Sequence, residues 1–190
     1  SYEWSHNGAV IATGSSLQLS SLVYGDTITC TATAMDSDGE QAVASADSQI
    51  GNSLPSAGSV ALSPASPTAH DDLSCSASSV FDADGHPVSL SYAWFIDGVQ
   101  QAETSSTLAA AYSVGSVVRC EVTPNDGIDS GAVVFASTTV VNSLPTVSSA
   151  SLSPSAVYTN DNITATASAS DADGQSVTLR YDWYVDGAMI

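Results

Sequence analysis

Aspartates spaced by a single residue and closed by glycine are the side chains of this sequence best arranged for chemistry. They occur as Asp82-Ala83-Asp84-Gly85 and as Asp171-Ala172-Asp173-Gly174, with Asp36-Ser37-Asp38-Gly39 and Asn125-Asp126-Gly127 as variants. Two carboxylates one residue apart can converge in a tight turn, and the glycine supplies the left-handed backbone that such a turn needs. Oxygens gathered in this way suit a hard cation such as Ca²⁺. The same sequences are also ordinary solvated turns, because Asp and Asn side chains bond the backbone two residues further on. No glutamate closes a twelve-residue loop of the EF-hand kind.

Other chemistry finds little material. His6, His70 and His86 have no cysteine or second histidine at zinc-ligand spacing, so zinc is not expected from them. There is no Gly-x-Ser-x-Gly elbow, no Gly-rich phosphate loop and no His-Glu-x-x-His pair. The paired carboxylates are accounted for by turns, and the expectation is that the chain is not an enzyme. Tyr2, Tyr92 and Tyr181 stand two residues before tryptophans and read as core rather than as a sugar-stacking platform.

Charge narrows the partners. Twenty Asp and Glu face only Arg119 and Arg180, with no lysine, for a formal charge of −18. Such a surface repels phosphate backbones and anionic lipid, so neither nucleic acid nor a membrane surface is an expected partner. Without lysine, Lys-Asn isopeptide crosslinks are excluded, which leaves disulfides or metal ions as staples. No apolar run nears the eighteen or so residues that cross a bilayer, so no membrane insertion is expected of this segment.

The elements that must position these residues recur along the chain. Trp4, Trp94 and Trp183 fall at intervals of 90 and 89, each followed by a turn pair, Asn7-Gly8, Asp97-Gly98 and Asp186-Gly187. Cys30 and Cys120, Pro64 and Pro154, and the tetrapeptides Asn52-Ser53-Leu54-Pro55 and Asn142-Ser143-Leu144-Pro145 are each 90 apart. A fixed period with recurring landmarks signals an array of like modules. It divides the chain into a complete unit at 52–141, flanked by parts of units at 1–51 and 142–190, and the period is expected to continue on both sides in the complete gene.

Within 52–141 the pattern predicts short strands. Ser59 to Pro64 alternates and stops at proline, and Leu73-Ser74-Cys75-Ser76-Ala77 alternates with Cys75 on the apolar face. Val88 to Trp94 places Val88, Leu90, Tyr92 and Trp94 together, and Asp97-Gly98 fits a two-residue hairpin. A weak strand near Thr107-Leu108, a further one at Val118 to Val122 and a last one within Gly131 to Val141 complete the set. About seven strands with a turn signal roughly every ten residues predict an all-β unit of the sandwich type.

Cys75 lies nineteen residues before Trp94 and Cys120 twenty-six after it. In this the chain resembles the immunoglobulin-like superfamily, where a cysteine on the second strand bonds one on the sixth across a core tryptophan. The resemblance implies an all-β fold of tandem Ig-like antiparallel β-sandwich repeats of about ninety residues, with Trp4, Trp94 and Trp183 in their cores. It also implies a Cys75–Cys120 disulfide, worth roughly 4 kcal/mol by chain entropy, the alternative being two free buried cysteines. Val118 stands where the family has a tyrosine two residues before the second cysteine. Cys30 matches Cys120 and Ala165 matches Cys75, so bridges are optional in the array. Disulfide use implies an oxidising, extracellular or cell-surface location.

In an Ig-like module the loops holding Asp82, Asp84 and Asp126 lie at the end where the chain enters. The resemblance therefore implies that these aspartates meet beside Asn52 and hold Ca²⁺ at the junction, in the manner of cadherin-like and calcium-dependent adhesin repeats. Asp171 and Asp173, with Asp36 and Asp38, are the corresponding candidates in the flanking units. The implied function is mechanical: a segment of an extracellular stalk, adhesin shaft or filament that extends by roughly 35 to 40 Å per repeat. Its partners are neighbouring repeats of the same protein, with self-assembly into a filament as a further expectation. The alternatives are a ligand-binding module for carbohydrate or protein, and an accessory module of a secreted hydrolase.

Overall fold

A computed structural model describes residues 1–190. The chain is all strand and turn, and its pairings are antiparallel. Strands β1 (Tyr2–His6), β2 (Ala9–Thr13), β3 (Thr27–Met35) and β4 (Gln41–Gln49) form one sheet in the order β2-β1-β3-β4. Next come β5 (Val60–Ser63), β6 (Leu73–Ala77), β7 (Ser89–Ile96), β8 (Val99–Gln100), β9 (Thr107–Leu108), β10 (Val117–Asn125) and β11 (Val134–Thr139). These make two sheets, β5-β6-β9 and β11-β10-β7-β8. β12 (Thr146–Ser153) pairs with β13 (Thr164–Ser170), and β14 (Tyr184–Val185) with β15 (Ala188–Met189).

The hairpins follow from turn chemistry. Asn7-Gly8, Asp97-Gly98 and Asp186-Gly187 all have positive φ at both residues, 52 and 78°, 48 and 82°, and 51 and 80°. Both central residues of a type I′ turn require this, and Asn, Asp and Gly tolerate it best.

Two compact units emerge. One comprises Ser1–Gly58, Ser78–Ser91 and Thr123–Val133; the other comprises Ser59–Ala77, Tyr92–Val122 and Val134–Ile190. The second holds the main core. Cys75 on β6 and Cys120 on β10 are bonded, with Cα atoms 6.4 Å apart, so the bond ties the three-stranded sheet to the four-stranded one. Trp94 is 0% exposed, packed in a core with Leu73, Leu108 and Val118, and its indole N–H donates to the Ser105 carbonyl at 2.9 Å. A buried indole needs such an acceptor. Along β10 every second residue, Val118, Cys120, Val122 and Pro124, points inward, as a half-buried strand requires.

The period is visible in the pairing register. Leu62 faces Cys75 and Ser63 faces Ser74 between β5 and β6; Leu152 faces Ala165 and Ser153 faces Thr164 between β12 and β13, each 90 residues later. Ala165 therefore occupies the register position of Cys75 and carries no sulfur to bond.

The three tryptophans differ in setting. Trp4 is half-buried, with its N–H on the Gly14 carbonyl at 2.9 Å, while Trp183 is 37% exposed. Trp183 borders an open groove with Val147, Leu152, Ala165 and Tyr181, and residues 175–183 form no strand.

Candidate functional site

The acidic turns and the junction tetrapeptide meet within the first compact unit, in the loops that follow β6 and β10. In the first loop Asp82 opens a turn in which its Oδ1 accepts the backbone N–H of Asp84 at 2.9 Å and of His86 at 3.0 Å. Gly85 sits at φ +80°, the left-handed value that lets the turn close. The folding of this turn over its own carboxylate leaves Asp82 only 6% exposed. Oδ1 is satisfied, but Oδ2 is buried with no hydrogen-bond partner. His86 comes back beside Asp82, Nδ1 to Oδ1 at 3.6 Å, and Nδ1 is likewise buried without a hydrogen bond. The imidazole packs edge-on against Tyr24, ring centroids 5.7 Å apart.

In the second loop Asp126, also 6% exposed, accepts the N–H groups of Ile128 at 2.8 Å and Asp129 at 2.7 Å on Oδ1. Its Oδ2 takes the Asn52 amide at 2.8 Å, and the same amide reaches Asp129 Oδ2 at 3.1 Å. The Asp129 N–H leads in holding the Asp126 carboxyl down to about 2, with help from Asn52 and Ile128 and against the opposing effect of burial. Ser53 N–H donates to Asp84 Oδ2 at 2.6 Å. Ser56 and Phe81 exchange backbone bonds of 2.8 and 2.9 Å. Residues 52–56 are thus bonded to both loops.

Of the residues expected to bind a cation, Asn52 and Asp126 meet each other, and Asp82 and Asp84 meet His86. One ligand atom from each of Asp82, Asp84 and His86 lies within 4.8 Å of the others. Asp126 lies outside that group, its oxygens occupied by protein donors. Asp171 and Asp173 repeat the turn: Asp171 Oδ1 accepts Asp173 N–H at 2.8 Å, and Asp173 Oδ2 takes Ser143 N–H at 2.5 Å. Gln175 stands there where His86 stands in the first loop. Asp36 Oδ1 accepts Asp38 and Glu40 N–H at 3.0 and 2.9 Å, and Asp38 joins no cluster of ligand atoms.

Sequence reasoning set His86 aside as a metal ligand, for want of a second histidine or cysteine at zinc-ligand spacing, and did not single out Asp129. His86 carried a legible signal, since the Asp82 turn folds its i+4 position back onto the carboxylate. Asp129 had none, because it matters only through Asn52, 77 residues away. No family model matches this chain, and no curated protein matches it.

Proposed function

We propose that this chain is a structural segment of an extracellular or cell-surface shaft, built of Ig-like β-sandwich units in series and serving a mechanical rather than a catalytic role. The observation that carries this reading is the junction. Residues 1–58 and the loops 78–91 and 123–133 make one compact body, so the junction segment is packed with those two loops. A flexible linker would leave Asn52 and Ser53 in water. Here they donate to Asp126, Asp129 and Asp84, and Pro55 is buried.

The recurrence of the bond from the junction serine to the second aspartate of the turn, Ser53 to Asp84 and Ser143 to Asp173, supports one joint used repeatedly. The disulfide supports an oxidising location. The acidic surface suits a segment that projects from a cell without adhering to its neighbours. Antibodies to the chain test the reading: on intact producing cells they should decorate projecting fibres in electron micrographs. Labelling confined to permeabilised cells would overturn it.

A further inference from the structure

We propose that Asp82, Asp84 and His86 form a site for a borderline first-row divalent cation of the zinc type, in preference to calcium. Two observations point to a ligand independently of the acidic cluster itself. Asp82 is more than nine-tenths buried, yet its Oδ2 has no partner, and His86 Nδ1 beside it is also buried and unbonded. An orphaned carboxylate oxygen in a buried position is costly, and a cation held by Asp82 and His86 would give both residues a partner.

The donor set selects the cation. At the turn itself the buried atoms without protein partners are Asp82 Oδ2 and His86 Nδ1, and Asp84 adds a second carboxylate; the orphaned Asn52 Oδ1 belongs to the amide held by Asp126 and Asp129. Zinc takes imidazole nitrogen and carboxylate oxygen at about 2.0 to 2.2 Å and accepts three protein ligands with water as the fourth. Calcium takes six to eight oxygens and has no use for imidazole nitrogen. The nearest further acid, Asp126, has its oxygens filled by Asn52, Ile128 and Asp129. A tetrahedral zinc spaces its ligand atoms by roughly 3.4 Å. From a mutual separation within 4.8 Å, rotation of the His86 ring, 28% of whose side chain is exposed, can close the set. Because Asp84 also holds Ser53 and His86 touches Tyr24, a bound ion would add a tie between the loop and the preceding segment.

The chain contains its own control. Asp171-Ala172-Asp173-Gly174-Gln175 repeats the acidic turn with Gln175 in place of the histidine, so a zinc-type ion belongs at one turn and not the other. Binding is a property of the isolated chain, and it stands or falls independently of any role as a shaft.

Calorimetric titration of the chelator-stripped 190-residue chain decides the matter. It is done with Cys30→Ser present, so that the free thiol does not compete. Zinc chloride should titrate one equivalent, with calcium chloride binding about tenfold or more weakly. His86→Gln should weaken zinc by about tenfold or more, while Asp171→Asn and His6→Gln leave it unchanged. His86→Gln keeps both backbone bonds of the Asp82 turn, and a cooperative metal-free melting curve checks that the variant is folded despite the lost Tyr24 contact. As a second reading on the parent alone, zinc should shift the ring ¹⁵N resonances of His86 and spare those of His70. The proposal is overturned by an absence of saturable zinc binding, by undiminished affinity in His86→Gln, by calcium binding as tightly as zinc, or by loss of zinc with Asp171→Asn.

Discussion

Asp126 and Gly131 show how much of the junction rests on single residues. Asp126 is ionised far below the ordinary carboxylate range, to about 2, because the folded chain surrounds its charged form with donors. A depressed folded value contributes stability above the unfolded value near 4, and that stability is lost as pH falls through about 2. Acid also relieves the mutual repulsion of the other carboxylates in both chains, so the difference carries the assignment: the melting midpoint of Asp126→Asn should lie below that of the parent at pH 5, and the gap should close toward pH 2. Asp26, Asp71 and Glu103, each held low chiefly by a backbone N–H, keep part of the slope in the variant. A gap that stays constant from pH 6 to 2 would refute the assignment. Gly131 is a steric case: a Cβ there would stand 1.8 Å from the Pro55 carbonyl oxygen. Backbone must move to admit it, and Gly131→Ala should cost about 3 kcal/mol or more in chemical denaturation. Gly85→Ala meets open space and only a left-handed φ, at about 1 to 2 kcal/mol. Equal costs at the two sites would show that the Pro55 contact does not matter. Asn52 was legible through its recurring tetrapeptide, whereas Gly131 was not, since it matters only through Pro55, far along the chain. Asp82 and Asp84 were legible because both the turn and its chemistry are local.

At the scale of elements, what was readable depended on contrast between faces. β6 falls where alternation placed it, Leu73–Ala77, because Leu73 and Cys75 share one face and serines the other, and β9 falls at the weak strand expected near Thr107-Leu108. β10 runs on past Val122 through Pro124 to Asn125. Proline ordinarily argues against a central strand, and here it lies at the strand end, where its carbonyl accepts the Gly131 N–H. β4, nine residues exposed throughout, has Ala42, Ala44, Ala46 and Ser48 on one face and Val43 as the one large apolar residue on the other, so it offers little contrast to read; it is held by its backbone ladder with β3. The disulfide joins elements whose pattern alone does not pair them. Spanning a separation of 45 residues, it should contribute roughly 4 kcal/mol. Cys75→Ala with Cys120→Ala should lower the thermal unfolding midpoint by roughly ten degrees. A shift below a degree or two would mean that packing of Leu73, Trp94 and Val118 holds the two sheets together unaided.

The whole molecule carries a charge of −18, and the disposition of its few cations decides how salt acts on it. Both arginines are committed to acids two residues away, Arg119 to Glu121 and Arg180 to Asp182. The remaining contacts, His6 with Asp26 and His86 with Asp82, are ion pairs only when the histidine is protonated. At neutral pH there is therefore little attraction for salt to screen, whereas repulsion among twenty acidic side chains extends over a Debye length of roughly 30 Å at 0.01 M salt and about 3 Å at 1 M. Screening removes an energy that opposes the folded chain more than the expanded one. The melting midpoint should rise by roughly a few degrees from 0.01 to 0.5 M sodium chloride, and potassium chloride should act equally, since the effect depends on ionic strength and not on a bound ion. Zinc, by contrast, should raise the midpoint at micromolar concentration and only while His86 is present. A midpoint that falls with sodium chloride would show that the local arginine pairs outweigh the repulsion, and that the acidic surface is not the principal strain on the fold.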